Sequence, residues 1–202
     1  MVSVQIQGTI RSEFGKKGSR IDRNNGTVPA VMYGGNEVIH FTVTPASVKH
    51  LIYTPEFKLA DLEIDGKAYK AILKSAQFHP VTEQLLHIDF LRLIDKATIK
   101  VDVPLRFKGI SPGVKLGGKL IQQLRKIKIK TTPEFLVDEL NADISKLDLG
   151  QALRVREVII PKGIEILNNG ATPVALIEIP RALKAAAAAE AKTADKGPKK
   201  KK

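Results

Sequence analysis

The chain has 202 residues, 43% of them hydrophobic, which suits one or two globular domains of roughly 100–150 residues. Its 33 Lys and Arg outnumber 21 Asp and Glu to leave a net charge of +12. Such a surplus favours a polyanionic partner, because neutralised phosphates release their counterions. With no cysteine, disulfides, thiolate nucleophiles and Cys-ligated zinc are excluded. No apolar run approaches the roughly 20 residues of a membrane span, and the N-terminus lacks the pattern of a signal peptide. A cytoplasmic protein without a membrane partner is expected.

In chain order, short runs rich in Val, Ile, Thr and Phe alternate with Gly, Pro, Asn and Asp, the pattern of a mostly β protein with few short helices. Strands are expected at Val2–Ile10 and, after a Gly-rich loop over residues 11–26, along Thr27–Gly35, where Pro29 marks a strand start or edge. Further strands are expected at Val38–Val43, Lys58–Ile64, Lys67–Ser75 and Leu85–Leu93. Pro45–Tyr53 has Val48, Leu51 and Ile52 at helical spacing, with Pro45 suited to a first turn. Asp65-Gly66 signals a tight hairpin, since both central positions need positive φ. The polar break Ile94-Asp95-Lys96-Ala97 suggests a seam near residue 95. Beyond it, strands are expected at Thr98–Phe107, Lys126–Thr131, Arg154–Ile160 and Thr172–Ile179. This divides the chain into a domain of residues 1–95, a second β domain of residues 96–180 and an Ala/Lys-rich tail of residues 181–202, expected to be disordered. Their net charges are +1, +5 and +6, so half the excess lies in the tail.

Four segments carry the candidate chemistry. Residues 11–26 hold five basic side chains, two acidic ones and three glycines, a loop able to lay amides and cations along a phosphate backbone. It lacks the Gly-Lys-Ser/Thr ending of a nucleotide P-loop, and a plain solvated loop is the alternative. Tyr33, just before Gly34-Gly35, reads either as a barrel-rim core residue or as a stacking face for a base or ribose. In His87-Ile88-Asp89-Phe90, period-two geometry puts His87 and Asp89 on one face and the apolar residues on the other. With Gln77, that face can hydrogen-bond ribose hydroxyls and base edges. His79, His87 and Asp89 could instead be the metal site of a hydrolase, although a third helix- or strand-spaced ligand is not evident, and a Ser-His-Asp hydrolytic set would lack a nucleophile elbow. Finally, residues 106–130 contain eight basic side chains and no acidic one, a candidate phosphate-binding face.

Gly15-Lys16-Lys17-Gly18-Ser19-Arg20, Pro29-Ala30-Val31-Met32-Tyr33-Gly34, Gln77-Phe78-His79-Pro80 and His87-Ile88-Asp89-Phe90 together resemble the bacterial family of large-subunit ribosomal protein twenty-five. Val103-Pro104-Leu105, Gly109, Gly113-Val114-Lys115 and Gly117-Gly118 resemble the extra domain of its longer, general stress protein Ctc form. The resemblance implies an N-terminal β-barrel bound to 5S rRNA in the large ribosomal subunit, with ribosomal proteins as neighbours. It implies no enzymatic activity, no cofactor and no small-molecule substrate. Carried over by position, the RNA-binding set is Arg11, Lys16, Ser19, Arg20, Arg23, Tyr33, Gln77, His87 and Asp89. Where relatives often continue Ser-Arg-Arg-Leu-Arg, this chain reads Ser19-Arg20-Ile21-Asp22-Arg23, with one cation fewer and a carboxylate added. Weaker phosphate binding and a shallower salt dependence are expected there. A β-barrel that binds tRNA or another structured RNA is the alternative.

Overall fold

The computed structural model describes residues 2–35 and 37–180, so the expectation for residues 181–202 lies outside the described residues. The chain is mostly β. It divides into two compact units: the residues up to Pro104 with Lys128–Glu139 and Pro161–Leu167, and Leu105–Ile127 with Leu140–Ile160 and the residues from Asn168 on.

The first unit is built on a closed six-stranded barrel. Its strands are β1 (Ser3–Ile10), β2 (Val28–Tyr33), β3 (Ile39–Val43), β4 (Leu59–Ile64), β5 (Lys67–Phe78) and β6 (Leu85–Arg92), in the order β1-β3-β2-β6-β5-β4. Closure depends on β1, which pairs antiparallel with β3 and parallel with β4; Gly8 faces Val43 on one side and Ile64 on the other. Alternate residues of each strand turn inward, so Ile6, Met32, Phe41, Leu62, Ile64, Ile88 and Phe90 are fully buried in one cluster. The helix α2 (Pro45–Ile52) begins with proline, as its sequence indicates, and adds Val48 and Leu51 to the same core. Asp65 and Gly66 have φ of 48° and 77° and join β4 to β5 in the expected tight turn. β5 runs three residues beyond the expected Ser75, because β6 continues to offer partners: Gln77 faces His87 and Phe78 faces Leu85.

The remaining strands are β7 (Ile99–Lys108), β8 (Lys119–Gln122), β9 (Lys126–Thr131), β10 (Leu140–Asp143), β11 (Ala152–Arg154), β12 (Ile164–Ile166) and β13 (Pro173–Glu178). They form a four-stranded sheet of order β10-β7-β9-β12 and a three-stranded sheet of order β11-β13-β8. Ile99, Val101, Val103 and Leu105 of β7 and Ile127 and Ile129 of β9 are buried, which turns Lys126 and Lys128 outward. The carboxylate-free run is not free of carboxylates in space: Lys130 Nζ lies 3.1 Å from Glu165 Oε2 of β12.

The expected strand over Arg154–Ile160 is not formed. β11 ends at Arg154, and Val155–Glu157 is a 3-10 turn in which the Arg154 amide donates to Glu157 Oε2 at 3.2 Å. The buried positions there, Val155 and Val158, are three apart, which matches the 3-10 repeat and not strand alternation.

Candidate nucleic-acid interface

Residues expected to form a loop after β1 instead form a ten-residue helix, α1 (Gly15–Asn24). Local sequence argues against it, since glycine weakens helices and only Gly18 of α1 is buried, so no apolar stripe marks it. Longer-range contacts hold it. A Cβ on Gly18 would lie 2.8 Å from the Glu13 carbonyl oxygen, so only glycine permits this close return of the chain. Arg11 Nη2 donates to Ser19 Oγ at 3.2 Å and sits 2.8 Å from Asp22 Oδ2, a charge pair without hydrogen-bond alignment. The Arg11 side chain is only 8% exposed, and its Nε is buried with no partner. At the other end, Arg23 Nε donates to the Leu86 carbonyl of β6 at 3.1 Å. Arg11 and Ser19 are thus committed to one another and to Asp22, while Lys16, Arg20 and Arg23 are exposed on one helical face at i, i+4, i+7. The added carboxylate of Asp22 faces Arg11.

Removing that carboxylate leaves a buried guanidinium unpaired. Asp22→Ala is expected to cost about 1–3 kcal/mol, the range for leaving a buried polar group without its partner. Denaturant unfolding of the full chain measures the effect, and faster amide exchange confined to α1 would locate it.

Two contacts set the course of α1 over the barrel. Before its first turn, the Phe14 ring meets His40 of β3, with centroids 5.3 Å apart and planes at 70°. After its last, Arg23 reaches β6. Since β2 lies between β3 and β6, α1 crosses the outer surface of β2. Where it ends, the polar face begins. His87 and Asp89 lie on the outside of β6, with Ile88 and Phe90 buried behind them. Gln77 stands opposite His87, and Ser75 opposite Asp89, on β5. His87 Nδ1 lies 2.9 Å from Asp89 Oδ1, and Asp89 Oδ2 accepts from Ser75 Oγ. With Nδ1 against the carboxylate, Nε2 lies on the opposite edge of the imidazole. Tyr33, at the end of β2, is half-buried. Burial pushes its phenol above the usual value of 10.0, and the negative charge of Asp89 adds to this.

Tyr33 therefore keeps its proton, as a donor, throughout the neutral range. The sign follows from linkage: the unfolded chain releases this proton first, so stability falls as pH rises beyond 10. Tyr33→Phe is expected to remove one tyrosine's contribution from the tyrosinate absorbance titration and to flatten that alkaline decline.

Of the nine residues assigned from sequence, Lys16, Arg20, Arg23, Tyr33, Gln77, His87 and Asp89 lie on α1 and the adjoining outer strand faces, while Ser19 of α1 is bonded to Arg11, whose side chain is buried. Sequence reading missed Phe14, His40 and Ser75. Ser75 had a usable signal, since it precedes Gln77 by two residues on one strand. Phe14 and His40 are 26 positions apart and become neighbours only through the pairing of β1 with β3. His79 has a different role: its Nδ1 accepts the amides of Val81 at 3.3 Å and Thr82 at 3.1 Å, shaping the β5–β6 turn. Among the described residues, no group of three or more His, Asp or Glu side chains is arranged to hold a metal ion, and no helix is long and apolar enough to cross a membrane.

The model of the Ribosomal L25p family matches residues 6–90, and that of the Ribosomal protein TL5, C-terminal domain, matches residues 98–181. The large ribosomal subunit protein bL25 of Bacteroides fragilis is 42% identical over 198 residues, covering 95% of this chain and 100% of the relative. Those of Cytophaga hutchinsonii and Amoebophilus asiaticus are 42% and 41% identical, covering 95% and 93% of this chain and 100% and 95% of the relatives. The chain belongs to the bL25 family of ribosomal proteins, in the longer form with a TL5-type C-terminal domain. It is a structural protein and not an enzyme, so the hydrolase reading of His79, His87 and Asp89 falls.

Proposed function

We propose that this protein is a structural constituent of the large ribosomal subunit, working in the cytoplasm, and that it holds 5S rRNA on α1 and the adjoining outer face of β2, β6 and β5. The observation that carries the reading is the placement of α1 between His40 and Leu86, beside the Asp89-oriented His87. Lys16, Arg20 and Arg23 neutralise backbone phosphates and position the RNA. Tyr33, Gln77 and His87, the last oriented by Asp89, meet ribose hydroxyls and base edges in a widened, shallow minor groove. Arg11 and Ser19 act from behind, holding α1 in place. The names of the relatives support the ribosomal setting. Family models that end at residue 90 and begin at residue 98 support a functional division near residue 95.

The test is binding of the full chain to 5S rRNA and to tRNA across a range of salt. Selective 5S binding is expected, with a negative log–log salt slope. Replacing both Lys16 and Arg20 by alanine should reduce the slope by about 0.7–0.9 for each phosphate that is no longer neutralised. Equal, weak affinity for the two RNAs would overturn the assignment.

A further inference from the structure

We infer that Phe14 and His40 form a stacking platform for an unpaired or extruded nucleobase at the β3 end of α1; this rests on the reading of the surface as an RNA interface. Phe14 is 62% exposed, so most of its ring meets water and contributes little to the core. His40 is exposed as well, and the two rings sit edge to face with centroids 5.3 Å apart. Each ring thus braces the other and leaves an aromatic face open.

Strand register ties this pair to the rest of the surface. His40 stands opposite Val31, Val31 opposite Asp89, and Asp89 opposite Ser75, a single row crossing β3, β2, β6 and β5. Phe14 and His40 occupy one end of the row, and the Asp89 network occupies the other. With neighbouring strands about 4.8 Å apart, β3 and β6 are separated by roughly 10 Å, a few stacked bases. The cationic face of α1 runs between them, beginning two residues after Phe14 at Lys16. An RNA strand held along α1 by its phosphates therefore has an aromatic face where the helix starts and a hydrogen-bonding face where it ends. Splayed RNA bases are commonly stacked on Phe, Tyr and His, and such stacking tolerates any base, because every base has a π-face.

The chain has no tryptophan, which allows a direct readout. In the full-length protein, Phe14→Trp introduces the sole indole; its fluorescence should be quenched on adding 5S rRNA, with affinity at or above that of the parent. Phe14→Leu keeps an apolar side chain of similar packing but has no π-face. It should weaken 5S binding roughly 5- to 100-fold while leaving the salt slope unchanged, because every phosphate-binding cation remains. Unaltered amide exchange in α1 separates this from a loosened helix. Parental affinity in the Leu variant, or an indole emission indifferent to RNA, would overturn the platform. Failure of the parent to prefer 5S rRNA would instead overturn the interface reading beneath it.

Discussion

Phe90→Ala is expected to remove about 3–5 kcal/mol of stability, the range for truncating a buried aromatic side chain. Phe90 is completely buried on the inner face of β6, and its ring lies 5.9 Å from that of Phe41 on β3, tilted by 32°. β6 sits between β2 and β5 in the barrel, so backbone pairing on both sides limits how far the wall can collapse into the space left by the ring. Removal of the aromatic pairing adds to the loss of burial. Denaturant unfolding of the full chain measures the effect. A cost below about 1 kcal/mol would mean that the β6 inner face is not part of a close-packed core. At temperatures where the variant is still folded, the histidine NMR signal of His87 should be unchanged, because His87 faces the other way.

Asp89→Ala is expected to weaken 5S rRNA binding by roughly 10- to 150-fold, equivalent to about 1.5–3 kcal/mol for losing a hydrogen bond to a charged group. The carboxylate accepts from Ser75 and lies 2.9 Å from His87 Nδ1, so its removal takes away the imidazole's neighbour and leaves the Ser75 hydroxyl without its acceptor. Because Asp89 is half-buried on the outer face, global stability should change far less than in Phe90→Ala. The salt slope should not change, since every cation remains in place. Asp89→Asn should fall between parent and Ala: its side chain keeps the same shape beside His87, and the serine hydroxyl can turn to accept from the new amide. Parental affinity in Asp89→Ala would remove the His87 network from the interface.

Strand alternation was legible because it is a local property. Successive side chains must point to opposite faces, so Ile88 and Phe90 could be assigned to the core, and His87 and Asp89 to one outer face, without knowing any neighbour. The same holds for Asp65-Gly66, whose positive φ values are imposed by a two-residue turn. Short elements without alternation were not legible. β8, β10 and β12 have three or four residues each, too few for a period to appear. Val155–Glu157, rich in β-branched neighbours, took a 3-10 turn because its buried residues are spaced by three.

Within the candidate site, local pattern was enough to name the residue types present and to put His87 and Asp89 on one face. Whether α1 exists, and where it lies, was decided only by tertiary structure. A short helix rich in glycine and cations has no apolar stripe and poor intrinsic propensity, so its stability comes from contacts made elsewhere in the chain. Those contacts are the Arg11 charge pair with Asp22, the approach of Gly18 to Glu13 and the reach of Arg23 to Leu86, which is 63 residues away. The pairing of Phe14 with His40, of Ser75 with Asp89 and of Lys130 with Glu165 likewise depends on which strands become neighbours. Strand order is a property of the closed barrel and its sheets, and no local pattern of residues encodes it.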